Sequence, residues 1–275
     1  LVSPGERIAV AVSGGKDSVI CLHLLAEYCS RRNCEVLAIT IDEGIRGYRD
    51  HSVPVAGENA ELLGVEHFVV SFKQAFGATL DRIVRLAKRH KTGLNPCTYC
   101  GVMRRSLLNQ AARELGADKL ATAHNLDDEV QAIMLNYVRA DFSRLHRLGP
   151  IYPPREGFVP RIKPMREIPE KEMALYALLR ELNVHLAVCP YAGGIHIEIR
   201  DFLNNLEEKH PNSKFMILRM FDRLKPKIAQ GMPEFEMRRC EACGEPTSAN
   251  VCKACELLRG LGLKRERKTL VSAPS

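Results

Sequence analysis

The run Ile8-Ala9-Val10-Ala11-Val12 passes directly into Ser13-Gly14-Gly15-Lys16-Asp17-Ser18, and no other stretch restricts the fold as strongly. A short apolar run that ends in Gly-rich polar residues reads as a buried parallel strand entering a tight turn. Residues 17–29 then carry Val19, Ile20, Leu22, Leu24 and Leu25, the content of a helix packed back on that strand. Strand, glycine turn and helix start together form an anion site. Backbone N–H groups and the positive helix end face the turn, and Lys16 adds a full charge.

The turn is neither of the two common nucleotide loops. G-x-x-x-x-G-K-[ST] needs an upstream glycine that is missing at the required spacing, and G-x-G-x-x-G is absent. Ser13–Ser18 instead resembles the PP-loop of the ATP pyrophosphatases, which split ATP into AMP and pyrophosphate to adenylate a substrate. The plain alternative is an ordinary Gly-rich strand–helix turn.

Strand-like segments at 7–12, 35–41, 67–71 and 119–123 alternate with helix-like segments at 17–29, 53–63, 74–90, 100–115 and 127–140. This alternation predicts an α/β fold, a doubly wound parallel sheet with right-handed crossovers. Ligands in such sheets bind at the carboxyl ends of the strands, where Gly14-Gly15, Asp42-Glu43-Gly44 and His124-Asn125 fall. Residues 143–171 differ in character: six prolines break regular structure, and seven Lys/Arg stand against three Glu. They read as a long basic loop with a short strand near 159–163, leading to a helix over 169–182. Further helices are expected near 196–209 and 214–224. The organisation read from the sequence is a catalytic domain at 1–189, a basic helical extension at 190–236, a zinc ribbon at 237–262 and a flexible basic tail at 263–275.

The chain has 275 residues, room for one large core and a small appendage. No stretch of eighteen apolar residues and no secretion signal is present, so no membrane span is expected and a cytoplasmic, reducing compartment is. Leu1 in first position, without an initiator Met, points to truncation or processing upstream. In a reducing compartment ten cysteines indicate metal or redox chemistry rather than disulfides.

Cys240-x-x-Cys243 and Cys252-x-x-Cys255 are separated by eight residues. Two such knuckles close a tetrahedral thiolate site, the pattern of a structural zinc ribbon, with Gly244 supplying the turn. Cys97-Thr98-Tyr99-Cys100 follows Asn95-Pro96 at a helix start and has no second pair nearby, while Cys189 lies in Val188-Cys189-Pro190. Two sulfurs plus a distant third suit a [4Fe–4S] cluster with one iron free of protein ligands, or a catalytic persulfide pair. An isolated redox pair with Cys189 as a buried hydrophobe is the plainer alternative. Cys21 reads as core packing, and Cys29 and Cys34 as inert thiols at the surface or the helix boundary.

With Ser13–Ser18, Cys97/Cys100 followed by Gly101-Val102-Met103-Arg104-Arg105, and Ala121-Thr122-Ala123-His124-Asn125-Leu126-Asp127-Asp128-Glu129, the chain resembles the TtcA/TtuA family of PP-loop tRNA thiolases. The likeness runs from Ile8 through Cys255 and includes Cys189-Pro190-Tyr191 and Arg200-Asp201-Phe202-Leu203-Asn204. The C-terminal ribbon and the run from Gly101 to Arg105 look most like the archaeal and eukaryotic cytosolic wobble-uridine thiolation proteins. Relatives usually carry a further zinc ribbon ahead of the PP-loop.

The resemblance implies ATP bordered by Ala11, Ser13, Gly14, Gly15, Lys16, Asp17, Ser18, Ile41, Gly101 and Ala123, with Mg2+ on the phosphates. It implies a [4Fe–4S] cluster on Cys97, Cys100 and Cys189 whose open iron holds hydrosulfide, and an acid/base or metal role for Asp128. Asp127 is expected to cap its helix and His124 to pack or position. Some relatives have Lys where Arg104 stands. Arginine is a poor proton-transfer group, so Arg104 is assigned electrostatics alone. The reaction implied is adenylation of the C2 oxygen of a tRNA uridine, then its replacement by sulfur at wobble position 34. A T-loop uridine or cluster-free persulfide chemistry is the alternative. The sulfur donor would be sulfide or a ubiquitin-like thiocarboxylate protein, and the assembly a homodimer or heteromer.

Net charge +7 favours an anionic partner. Residues 209–227 hold six Lys/Arg against Asp222, and Lys264-Arg265-Glu266-Arg267-Lys268 adds a basic tail. Both runs are read as tRNA phosphate contacts, with a solvated charged face as the alternative. Aromatics make up 6% and Trp is absent, so recognition by shape and backbone fits better than broad stacking platforms. Two other classes compete: another PP-loop adenylating enzyme, which needs no sulfur ligands, and a non-catalytic zinc-ribbon RNA-binding scaffold.

Overall fold

Period-two alternation along short apolar strands gives the sheet two buried faces. In the computed structural model, which describes residues 1–151, 155–230, 236–265 and 268–271, β1 (Arg7–Ala11), β2 (Glu35–Asp42), β3 (Glu66–Ser71), β4 (Lys119–Ala121) and β5 (Arg161–Ile162) form one sheet. All neighbouring pairs are parallel, in the order β3-β2-β1-β4-β5. The order reverses between β1 and β4, which makes their carboxyl ends the switch point where ligands bind.

Ala9, Leu37, Ile39 and Leu120 pack with α3 (Phe72–Phe76), α4 (Leu80–Arg89) and α5 (Pro96–Glu114) on one face. Ile8, Val10, Ala38 and Ala121 pack with α1 (Lys16–Ser30), α2 (Arg49–Leu62) and α8 (Glu170–Leu179) on the other. The doubly wound expectation holds. One expected helix, 74–90, is two: α3 stops at Gly77, and α4 starts afresh with Thr79 Oγ1 accepting from the Arg82 N–H at 3.3 Å. Cys29, expected at the surface or boundary, is buried with the second face.

A third cluster joins α6 (Leu126–Val138), α7 (Phe142–His146), α9 (Ile195–Lys209) and α10 (Ser213–Ala229) through Leu126, Val130, Leu203, Leu218 and Phe221. The helical extension therefore shares a core with α6 of the sheet domain. Beneath it, Glu129 is held by Lys163 at 2.5 Å and Arg166 at 3.0 Å, and Arg166 forks onto Asp222 at 2.7 and 2.8 Å. These two cations of the basic loop are consumed inside the molecule. Pro153 and Pro154 lie outside the described residues.

The ribbon comprises β6 (Arg238–Arg239) antiparallel to β7 (Pro246–Thr247), then α11 (Lys253–Arg259). It does not stand apart. Leu257, Leu258 and Leu261 enter the main core, and Arg113 of α5 forks onto Glu245 at 2.5 and 3.2 Å. The flexible tail is corrected where it is described: Leu270 and Val271 are buried, and their N–H groups bond Glu114. Arg265 is buried too, donating to Ser106 Oγ at 2.6 Å and to Gln110 Oε1. Glu266, Arg267 and 272–275 lie outside the described residues, as do 231–235 of the extension. No described helix is long and apolar enough to cross a membrane.

Candidate active site

The glycine turn follows β1 as the sequence requires. Ser18 Oγ donates to the Gly15 carbonyl at 2.8 Å and accepts from the Ser13 N–H at 3.0 Å, folding the loop over the first turn of α1. Gly15 precedes that helix with no side-chain cap, so its amino end is left to a ligand. Gly14 has φ +84°, and a Cβ there would lie 2.0 Å from the Ser52 carbonyl oxygen. No other residue type fits. Lys16 Nζ is shared by Asp17 at 2.8 Å and Glu170 at 3.5 Å.

One residue that sequence reasoning passed over, Arg49, holds this loop, and Glu43, which the sequence placed at the ligand edge, backs it. Arg49, which is 4% exposed, donates to the Ser13 carbonyl at 2.9 Å, to Ser52 Oγ at 2.9 Å and to the Ile41 carbonyl. Its Nε stands 2.8 Å from Glu43 Oε2. The other Glu43 oxygen faces Arg104 at 3.7 Å and Cys100 Sγ at 4.0 Å. Ile41, expected beside adenosine, therefore has its carbonyl committed to Arg49. Ala11 ends β1 and Ala123 follows β4, both at the switch point.

Cys97 and Cys100 open α5, whose start Asn95 caps by accepting from the Cys97 N–H at 2.8 Å. Cys97 Sγ approaches the Tyr191 carbonyl at 3.4 Å. Cys189 arrives on the segment 183–191, which crosses the phosphate loop. There the His185 N–H bonds the Gly14 carbonyl at 2.9 Å, and Asn183 is held by Asn59. Burial pushes the Cys100 thiol up to about 12, and Arg104 opposes that shift. All three cysteines are free thiols. Among the described residues the four ribbon sulfurs alone form a metal-ligand group within 4.8 Å of one another. The thiols of 97, 100 and 189 do not form such a group, but they are near enough to act on one another's charge, Cys189 adding to the rise that burial gives both Cys97 and Cys100. Gly101 lies under the Arg105 guanidinium, 3.2 Å from where its Cβ would be.

At the start of α6, Asn125 and Asp128 form a reciprocal capping box: Asp128 N–H to Asn125 Oδ1 at 2.9 Å, Asn125 N–H to Asp128 Oδ2 at 3.2 Å. Asp127 does not cap its own helix. It accepts from the Glu170 N–H at 2.8 Å, at the start of α8, and from Lys214. Lys214, counted in the basic run, is thus turned inward. Burial raises Asp128 to about 7, with Asp17, Glu170 and Asp127 adding to the rise and the Asn125 N–H opposing it. Asp17, Asp128, Glu170, Arg200 and Lys214 line a cavity of about 60 Å³ beside the phosphate loop. His124, exposed beside this site, is shifted below the ordinary imidazole value, by desolvation first and then by Lys163, Arg104, Arg161 and Arg105.

In the ribbon, Cys243 Sγ and Cys252 Sγ are 3.7 Å apart. A tetrahedral zinc with Zn–S of about 2.3 Å requires S···S of about 3.8 Å, so the four thiols fit such an ion.

A parallel sheet of this order, a glycine phosphate loop at its switch point and a converging thiol set define a PP-loop nucleotide-binding protein. A family model for the PP-loop domain matches residues 3–184. The chain is 39% identical over 264 residues to the tRNA 2-thiolation protein NcsA of Haloferax volcanii, covering 92% of this chain and 81% of that protein. It is 38% identical over 264 residues to cytoplasmic tRNA 2-thiolation protein 1 of Chlamydomonas reinhardtii, covering 95% and 73%. Among solved structures, the U34-tRNA thiolase NcsA from Methanococcus maripaludis with its [4Fe-4S] cluster superposes with a TM-score of 0.82 at 37% identity, covering 97% of this chain and 84% of that one. This chain belongs to the PP-loop tRNA 2-thiolation family.

Proposed function

We propose that the chain is a cytoplasmic ATP-dependent tRNA sulfurtransferase that converts a uridine, at wobble position 34, to 2-thiouridine. The observation that carries this reading is the crossing of 183–191 over the phosphate loop, where the His185 N–H bonds the Gly14 carbonyl at 2.9 Å and Cys189 follows four residues later. One segment joins the site for ATP to the site for sulfur. The homologues' names support the substrate class.

The backbone N–H groups of 13–17 would bind the β- and γ-phosphates, with Lys16 exchanging Asp17 and Glu170 for them. Mg2+ would sit on the phosphate oxygens. The uridine C2 oxygen attacks the α-phosphate and pyrophosphate departs. Arg104 stabilises the charge developing there. Asp128, with a pKa near operating pH, is suited to move a proton. Sulfide then attacks C2 and AMP leaves, a redox-neutral exchange. Cys97, Cys100 and Cys189 would hold the [4Fe–4S] group, which when bound supplies a metal position free of protein ligands. The sulfur donor would be sulfide itself or the thiocarboxylate of a ubiquitin-like protein, whose hydrolysis gives a carboxylate and sulfide. Zn2+ on Cys240, Cys243, Cys252 and Cys255 would be structural.

Nucleoside mass spectrometry with position mapping, on tRNA treated anaerobically with protein, ATP and sulfide, tests the reading. Thiolation at position 34 is expected, lost on alanine substitution of Cys97, Cys100 or Cys189. Pyrophosphate release that depends on tRNA and is unchanged in those variants, with no thiolation by any of the proteins, favours a sulfur-free adenylating enzyme, and full thiolation without iron removes the cluster.

A further inference from the structure

Neighbouring arginines on α5 serve different places. Arg104 faces Glu43 and the thiols, whereas Arg105 lines a separate cavity of about 390 Å³ bounded by α5, residues 155–161 and the ribbon. The cavity gathers Arg105, Arg147, Arg155, Arg161 and Lys253 against one carboxylate, Glu245. That carboxylate is already forked by Arg113. Among the described residues neither Arg147 nor Arg155 enters an ion pair. Phe158, 37% exposed, supplies an aromatic wall.

The walls are fixed by hydrogen bonds. Asn109 Nδ2 and Arg113 donate to the Gly157 carbonyl at 3.2 and 3.1 Å, and Asn109 Oδ1 accepts from the Val159 N–H at 3.0 Å. Arg161 donates to the Arg105 carbonyl at 2.9 Å. Gly157 has φ +78°, and a Cβ there would approach Pro246 to 2.9 Å, so loop and ribbon meet in close contact.

Clustered guanidinium groups with an aromatic face suit a phosphate attached to a planar base. The volume lies within the roughly 300–1,000 Å³ of ligand pockets. A free polyphosphate already has the glycine loop at α1. Arg104 and Arg105 are consecutive on α5, one beside Glu43 at the thiol site and the other in this cavity, so an occupant is separated from that site by the width of one helix. Resting on the function proposed above, we propose that this pocket holds a nucleotide of the tRNA next to the uridine being modified, its phosphate among Arg105, Arg147, Arg155 and Arg161 and its base against Phe158.

Filter binding of unmodified tRNA across a potassium chloride series tests this with Arg147→Ala/Arg155→Ala and Phe158→Ala, with zinc content and ATP binding as fold controls. The arginine variant is expected to bind about tenfold more weakly and to lose about 1–2 from the slope of log K against log salt. Phe158→Ala should weaken binding with the slope kept. Wild-type affinity and slope in both variants overturn the proposal, as does protection of 155–161 from hydrogen exchange by UMP alone and not by tRNA. Failure of the wild-type protein to thiolate tRNA at all would instead sink the functional reading.

Discussion

Arg49 Nε lies 2.8 Å from Glu43 Oε2, and both side chains are at most 5% exposed. The pair links the two halves of the site. Through Arg49 it fastens the carbonyls of Ser13 and Ile41 at the ends of β1 and β2, and through Glu43 it faces Arg104 and Cys100. Removing one partner leaves the other charge buried. Arg49→Met is therefore expected to destabilise by about 3–5 kcal/mol, read from the urea unfolding midpoint. Glu43→Gln/Arg49→Met should recover part of that loss, because the buried carboxylate otherwise keeps, among the described residues, only the Arg104 cation, at 3.7 Å. A double variant less stable than Arg49→Met would contradict the pairing.

The two loop glycines should respond differently. Gly14→Ala forces a methyl onto the Ser52 carbonyl at positive φ, whereas a Cβ at Gly15 meets nothing nearer than Ser13 Oγ at 3.5 Å. Strain of about 1–3 kcal/mol is expected for Gly14→Ala, with ATP affinity down by about tenfold or more for each 1.4 kcal/mol that reaches the loop. Gly15→Ala should leave the Tm close to wild type. Calorimetry and ATP titration of the two variants side by side decide this.

Asp128 carries a pH signature. Its folded-state pKa is raised from 3.8 to about 7. The proton it retains favours the folded state, fully below pH 4, and that contribution is lost as pH rises through 7. Asp128→Asn should therefore remove a slope in stability between roughly pH 4 and 7 and flatten the ionisation near neutrality in the thiolation rate. A wild-type pH–rate profile with no inflection in that range would count against Asp128 as the proton-transfer group.

Side-chain pattern made the sheet legible. Ile8-Ala9-Val10-Ala11-Val12 entering two glycines announces the strand, the turn and the ligand edge, and the doubled Cys-x-x-Cys announces the ribbon. What sequence hid was pairing. Glu43 and Arg49 look like ordinary loop charges until burial joins them. Lys214 and Arg166 count as basic surface until Asp127, Glu129 and Asp222 take them. The crossing at His185 is a backbone bond to Gly14 and so leaves no side-chain mark. Only a spatial neighbour could reveal it.

Ribbon and main core should melt together. Leu257, Leu258 and Leu261 of the ribbon segment share a cluster with Leu107, Ala111 and Leu115, and Arg113 forks onto Glu245 across the same seam. A structural zinc contributes folding free energy outright, and on the proposed reading that energy would be transmitted through the buried leucines. Chelation, or Cys243→Ser, is expected to lower the single main transition in a thermal melt instead of creating a separate early one. Because the same seam frames the arginine pocket, tRNA affinity should fall with zinc occupancy while ATP binding at Gly14 and Gly15 persists below the new Tm. An unchanged main transition after complete zinc loss would mean that the ribbon folds and unfolds on its own.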